Sequence, residues 1–391
     1  MLIAWELGGG YGHHHRIEAL AAALAQRDTA PTLAVTGGRD RLGTIGTGLP
    51  VLDAPVLVTP PRDLPISFTV ADNLGRNGWW DGHALAAHVR AWLGLFDRAA
   101  PSRIIAEHAP AAALAARIAG IPCAMVGTGF TVMPDARPLP SLHPWAKLPA
   151  SVLAARETAF LEALAPTFRA FGLALPGAAV DVFEGIDRIA CCDPQTDHYA
   201  EVARPVFAGP VLAWNDEGAV PDGPVDVFVY LKPGNRFLHP VLDAVRASGL
   251  QAVAHVPGID AATQEALGGP ALSLSGRPVA IGAVAPTCRL AITDAGFNTG
   301  ALFLAHGVPL LCCPGQLEQA CLAWHLAARG LARTFNFTTA APDVGPVLAA
   351  ALGDTAMADA ARAFAARHPP RDVAAGIVDR VLGRTAVAAH G

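Results

Sequence analysis

The chain has 391 residues, which at about 100–200 residues per domain gives two or three domains and a core large enough to need no disulfide staples. Lys and Arg number 28 and Asp and Glu 33, so the formal net charge is −5 and the basic excess of a nucleic-acid binder is absent. The apolar fraction is 52% and the charged fraction 16%, against about 25% charged in an average domain, which excludes disorder and raises the question of a membrane.

The start, Met1-Leu2-Ile3-Ala4-Trp5-Glu6, has no basic n-region, and its apolar part is too short for a signal peptide. Residues 2–7 read as a strand, Gly8-Gly9-Gly10-Tyr11-Gly12 as a turn, and Ile17, Leu20, Ala21 and Leu24 mark the buried face of the helix that follows. A second strand is expected at 32–36. Residues 60–82 then form a long irregular segment carrying Pro60, Pro61, Pro65 and the pair Trp79-Trp80. A strand at 103–106, an Ala-rich helix at 111–119 ended by Gly120, and a strand at 123–126 restore the alternation. Residues 127–150, with Phe130, Trp145 and five prolines, are a second long irregular segment. Segments of this length are either functional or surface ornaments.

Gly209-Pro210 and Gly223-Pro224 bracket a change of composition that includes Trp214-Asn215-Asp216-Glu217-Gly218 and reads as a linker. Strands follow at 225–231, 252–255, 290–293 and 310–313, and helices at 238–247, 299–306, 317–328 and 373–382. The stretch 299–317 holds no Asp, Glu, Lys or Arg, but Gly300, His306, Gly307, Pro309, Pro314, Gly315 and Gln316 interrupt it. No clean run of about 18 apolar residues occurs anywhere, so no transmembrane segment is expected. Seven cysteines without a C-x-x-C pattern read as buried free thiols in a reducing, cytoplasmic setting. Strand–helix–strand units with short connections imply parallel sheets. The fold class is therefore α/β, with two Rossmann-like lobes facing one cleft. The lobes span 1–208 and 225–391, the linker is 209–224, and the last helix is free to cross back to the first lobe.

Three segments could carry chemistry. The first is Gly8-Gly9-Gly10-Tyr11-Gly12-His13-His14-His15. A dinucleotide fingerprint would need glycine at 13, so a nicotinamide enzyme is disfavoured. Glycines at Gly10 and Gly12 let a ligand approach the backbone. His13 at a helix N-terminus is disfavoured in its protonated form, which suits a general base; a polar helix cap is the other reading. Successive helical residues diverge by about 100°, so the His triplet does not suit one metal ion. The second segment, Thr293-Asp294-Ala295-Gly296-Phe297-Asn298-Thr299, places a glycine turn at a helix start, where backbone N–H groups can hold a phosphate. The third, Pro314-Gly315-Gln316-Leu317-Glu318-Gln319, puts polar side chains at the carboxyl end of a strand, where open α/β sheets bind ligands.

In this order, and with Gly-Ile-Pro at 120–122 and Gly209-Pro210, the segments resemble the GT-B glycosyltransferases over nearly the whole chain. The similarity is greatest to the branch of macrolide and flavonoid glucosyltransferases and the peptidoglycan N-acetylglucosaminyltransferase. The resemblance implies that His13 deprotonates an acceptor hydroxyl with Glu107, in Ile105-Ala106-Glu107-His108, as its acidic partner. It implies that Gly296, Phe297, Asn298 and Thr299 hold the donor diphosphate and that Gln316, Glu318 and Gln319 face the sugar. It also implies a nucleoside-diphosphate sugar as donor substrate, UDP or dTDP, with no separate cofactor and no metal.

The sequence departs from the family at the donor turn. The family commonly has H-G-G-x-G-T there; in this chain Asp294 stands for the His, an acid that would repel phosphate. Leu302 falls where a ribose-binding Glu is usual. Lys232, in Lys232-Pro233-Gly234-Asn235, could supply compensating positive charge, with Gly234 and Asn235 in the same turn. His14, Trp79, Trp80 and Phe130 are candidates to contact the acceptor, though the aromatic side chains could equally pack the loops down. The acceptor itself, small molecule or lipid-linked, is not readable, and peripheral membrane contact stays open. Three functions compete: an inverting, metal-independent glycosyltransferase; a non-catalytic relative with a degraded donor site; and a sugar-nucleotide epimerase or hydrolase that would use Glu107 and Asp294.

Overall fold

The computed structural model describes residues 1–391 apart from 44–47, 60–65, 200–201, 213–217, 337–342 and 385–391. Pro60, Pro61 and Pro65 of the first long segment and Trp214 to Glu217 of the linker lie outside the described residues. The chain divides into two compact units, Met1–Val211 with Asp372–Gly391, and Leu212–Arg371.

The first unit is built on a seven-stranded sheet of order β3-β2-β1-β4-β5-β6-β7, every neighbouring pair parallel. Its strands are β1 (Leu2–Trp5), β2 (Thr32–Val35), β3 (Val51–Asp53), β4 (Ile104–Glu107), β5 (Cys123–Gly127), β6 (Asp187–Ala190) and β7 (Val206–Phe207). All four residues of β1 are buried because side chains alternate between two covered faces. Leu2 and Ala4 join one apolar cluster, with Trp92 and Phe160. Ile3 and Trp5 join another, with Ile17, Leu20 and Leu24 of the helix Tyr11–Ala25. The chain lays down β1 to β3 outward in one direction and then returns to place β4 on the other side of β1. The topological switch point, where such sheets leave a ligand-sized crevice, therefore lies between β1 and β4.

From Asp372 the chain belongs to the first unit. The helix Val373–Leu382 sets Val373, Ala374, Ile377, Val378 and Val381 on one stripe, and that stripe is buried in the cluster with Ile17, Leu20 and Leu24. Arg27 Nη2 donates to Asp379 Oδ2 at 2.7 Å and Arg380 Nη2 to Asp187 Oδ1 at 3.0 Å, anchoring both edges of that helix.

The segment expected to be irregular at 60–82 contains a helix, Val70–Leu74, begun by a reciprocal Thr69–Asp72 capping box, and a kinked helical turn over Gly75–Trp79. Two long helices absent from the sequence reading, Gly82–Ala99 and Ala150–Ala170, cover this side of the sheet. The first has its N-cap in Asp81, whose side chain accepts from Ala84 N–H at 3.0 Å. The segment 127–150 remains irregular save for a short turn at Pro144–Ala146. It is pinned by a buried ion pair in which Arg204 Nη2 meets Asp197 Oδ1 at 2.8 Å and also donates to Gly129 O at 2.6 Å.

The second unit carries a six-stranded parallel sheet of order β10-β9-β8-β11-β12-β13. Its strands are β8 (Val227–Tyr230), β9 (Ala252–His255), β10 (Leu272–Ser275), β11 (Leu290–Thr293), β12 (Leu310–Cys312) and β13 (Ala332–Thr334). The switch point lies between β8 and β11 by the same reasoning. All seven cysteines are free and buried, as the sequence reading expected. Among the described residues no helix is long and apolar enough to cross a membrane.

Candidate active site

The parallel pairing of β1 with β4 sets Trp5 opposite Glu107, so the two strands end together at the switch point of the first sheet. After β1 the chain turns through Gly8, with φ +75°, and Gly10, with φ +134°, into the helix Tyr11–Ala25. An ideal Cβ on Gly8 would lie 2.5 Å from His13 Nε2 and 2.9 Å from His108 Nδ1. Only glycine permits both that backbone and that approach.

His13 Nδ1 lies 3.0 Å from each carboxylate oxygen of Glu107. Glu107 is fully buried, and Arg16 Nε donates to its Oε1 at 2.9 Å. Burial by itself would raise the Glu107 pKa; the Arg16 guanidinium, then the charge and hydrogen bond of His13, reverse this and hold it at about 2. The carboxylate is thus ionised and acceptor-only, so in its neutral form His13 carries its proton on Nδ1 and presents a lone pair on Nε2. No protein group among the described residues takes that lone pair. This is the geometry of an oriented base.

His14 meets the Trp5 ring edge-on at 5.1 Å, and burial, aided by the charges of His13 and Arg41, lowers its pKa. Arg16, Trp5, His108 and Arg41 complete the cluster and were missed in the sequence. Arg16 alone left a signal there, since it follows His13 by three positions and shares its helix face.

The aromatic candidates separate. Trp79 is 1% exposed and stacks on Phe160 at 6.3 Å inside the apolar core, so no ligand reaches its face and it leaves the acceptor set. Phe130 is likewise buried, tilted against His198 at 5.7 Å. Trp80 is half-buried, edge-on to Phe160, with the Arg156 guanidinium 5.6 Å from its centroid.

In the second unit the switch point joins the turn after β8 to the turn after β11. Asp294, 3% exposed, accepts from Gly296 N–H through Oδ1 at 2.9 Å and from Gln319 Nε2 through Oδ2 at 2.8 Å. Lys232 Nζ stands 4.0 Å from Oδ2. Burial raises the Asp294 pKa, opposed in part by Gly296 N–H, Lys232 and Gln319. The acid that the sequence set against a phosphate is thus turned inward and shielded. Lys232, its side chain 61% exposed, is the outward charge.

Ala295 holds φ +61° in the same turn, a left-handed position at a residue with a Cβ. Gly296 then opens the helix Phe297–Ala305, whose first N–H groups find no acceptor within the helix. Asn298 and Thr299 are partly exposed in that first turn, whereas Phe297 is buried.

Two expected ligand contacts are instead internal. Gln319 Oε1 accepts from Gly315 N–H at 2.9 Å while its Nε2 serves Asp294, so both ends of the amide are engaged within the protein. Asn235 donates to Cys313 O at 2.8 Å and accepts from Phe237 N–H at 2.9 Å. Both are buttresses of the site, not hands for a sugar. Gly234 has open space around it, Gln316 is exposed and Glu318 is partly exposed. Among the described residues no group of three or more His, Cys, Asp or Glu is placed to hold a metal ion.

Solved structures match this architecture from end to end. The glycosyltransferase VinC in complex with dTDP superposes with a TM-score of 0.67 at 18% identity, over 98% of this chain and 100% of that one. The chain has the GT-B fold. The spinosyn rhamnosyltransferase SpnG gives 0.66 at 18% identity, over 98% and 100% of the two chains. SsfS6 of Streptomyces sp. SF2575, complexed with thymidine diphosphate, gives 0.60 at 20% identity, again over 98% and 100%. No family model matches the sequence, and no curated protein matches it. At such identities the likeness is one of GT-B fold, and the chemistry rests on the site.

Proposed function

We propose that the protein is an inverting glycosyltransferase that moves a sugar from a nucleoside diphosphate, dTDP or UDP, to an acceptor hydroxyl. The observation that carries this reading is the His13–Glu107 pair at the switch point of the first sheet, with Nδ1 held by a buried carboxylate and Nε2 open. Nε2 takes the acceptor proton as the oxygen attacks the anomeric carbon, and the glycosidic bond to the diphosphate breaks on the opposite face. Glu107 stabilises the imidazolium that forms.

The leaving diphosphate carries the electron pair. The N-terminus of the helix Phe297–Ala305 and the exposed Lys232 ammonium are suited to receive its charge. That positive charge takes the part a divalent cation would otherwise play, so the reaction is proposed to be metal-independent. The dTDP or thymidine diphosphate in the VinC and SsfS6 structures supports a nucleotide donor.

A thermal-shift screen against UDP, dTDP, GDP and their sugars tests the donor. A ligand at 100 times its Kd stabilises by about 2.7 kcal/mol. With the selected donor, His13→Ala is expected to lower turnover by about 10²–10⁴. If no sugar nucleotide shifts the melting curve and none is consumed, the proposal fails in favour of a non-catalytic binding protein. Free or epimerised sugar formed without acceptor would point to hydrolysis or epimerisation.

A further inference from the structure

His108 combines two unfavourable features and has no part in the reaction just described. It follows Glu107 directly, yet its backbone is left-handed at φ +45°, which a non-glycine residue seldom adopts. Its Nδ1 is buried and has no hydrogen-bond partner, although buried imidazole nitrogens are normally paired. Its ring lies parallel to that of His13, with centroids 5.4 Å apart and planes inclined by 14°.

Trp5 stacks on His13 as well, at 5.5 Å and 27°. Trp5 is fixed in turn, since its Nε1 donates to Leu7 O at 2.8 Å and the Arg41 guanidinium lies 3.6 Å from its ring centroid. Arg41 donates from Nη1 to Glu6 O at 2.9 Å and Thr36 O at 3.1 Å, and from Nη2 to Gly8 O. The cation, the indole and the two imidazoles are therefore joined by successive stacks to the backbone of the glycine turn.

Glu107 alone does not fix the plane of the His13 ring. Both its oxygens lie 3.0 Å from Nδ1, and this contact leaves the ring free to tilt about the shared hydrogen bond. A tilt would swing Nε2 away from the direction in which an acceptor hydroxyl must arrive. It would also break both parallel stacks. His108 can serve as a platform because it is uncharged: burial, and next the charge of His13, bring its pKa down to about 3. A small five-membered ring also suits the space, since Gly8 stands against its Nδ1.

We propose that His108 is a positioning residue for His13, a stacked ring that acts with Trp5 to hold the His13 imidazole in the plane where Nδ1 faces Glu107 and Nε2 stays open. The proposal rests on the glycosyltransferase reading only in taking His13 as the base; the stack itself needs no substrate.

The test uses the full chain labelled with [15N]histidine. His13 is expected to show one sharp Nδ1–H tautomer. His108→Asn removes the ring but keeps a residue that tolerates positive φ; His108→Gly, which suits that backbone still better, is the second variant if the first melts early. In either variant the His13 ring signals are expected to broaden and shift as the ring tilts, with the Nδ1–H tautomer kept by Glu107. With the donor from the screen, kcat is expected to fall about tenfold or more while KM stays within twofold. Unchanged His13 signals in both ring-less variants overturn the proposal, whatever happens to turnover. Absence of turnover in the parent chain sinks the function proposed above and leaves the spectrum to decide the role of His108.

Discussion

Replacing Glu107 by Gln keeps the shape of the side chain and removes its charge. The carboxylate serves Arg16 Nε at 2.9 Å and His13 Nδ1 at 3.0 Å, both donors. A carboxamide has one oxygen for these two donors and turns an N–H₂ toward the other. If Arg16 keeps the oxygen, His13 is driven to the tautomer with its proton on Nε2, and the base is lost. If His13 keeps it, the Arg16 guanidinium, 1% exposed, loses its carboxylate.

The magnitude follows from proton linkage. Glu107 falls from an ordinary 4.5 to about 2, which at 1.36 kcal/mol per pH unit is about 3 kcal/mol of stability. That is the lower end of what breaking a buried ion pair costs, about 3–5 kcal/mol. Because the folded-state value is the depressed one, the contribution is complete above pH 4.5 and is lost as the pH falls from there through about 2. Urea unfolding of parent and Glu107→Gln, from pH 7 down through pH 4, is expected to show a gap of about 3 kcal/mol that narrows below 4.5. Turnover is expected to drop by about 10²–10⁴. A gap that does not change with pH, or turnover within threefold of the parent, refutes the reasoning.

Other perturbations test the two turns separately. Gly8→Ala brings a Cβ to 2.5 Å from His13 Nε2 at φ +75°, so both melting temperature and turnover are expected to fall. A crystal structure with His13 unmoved would contradict this. Ala295→Gly removes a buried Cβ from φ +61°; the left-handed strain, less the added chain entropy of glycine and the loss of a buried methyl, is expected to leave stability within about 1 kcal/mol of the parent, read by chemical denaturation. A loss well beyond about 1 kcal/mol would show that this strain is absent. Lys232→Ala is expected to weaken dTDP or UDP binding about tenfold in calorimetry, or about 1.4 kcal/mol, with the melting curve of the free protein unchanged. Equal affinity would remove Lys232 from the diphosphate site.

Much of the site was legible because its signals are local. Strand, glycine turn and helix follow one another within a few residues at Gly8–Gly12 and again at Ala295–Thr299, and the pattern places His13 and Thr299 at helix starts without any tertiary information. Elsewhere local pattern misled. The helix Gly82–Ala99 had its cap signal in Asp81, but the prolines and tryptophans before it read as a continuing loop. In Ala150–Ala170 an internal Pro166 obscured the helix. Gln319 and Asn235 carry the right chemistry for a ligand, yet nothing in the sequence tells that Gly315, Asp294 and Cys313 consume their hydrogen bonds.

By itself the sequence determined the class of fold, through apolar runs that must be covered on both faces of a sheet, and singled out His13 as the proposed base, through its place after a glycine turn. Only the tertiary structure decided what that base touches. Glu107 lies 94 positions from His13 and reaches it because the chain places β4 beside β1. The same long-range packing brings Trp5 and His108 onto the imidazole, seals Trp79 in the core and returns 373–382 to the first unit. Strand order and helix docking are settled by the total apolar surface that can be buried at once, a property of the whole chain that no short window contains.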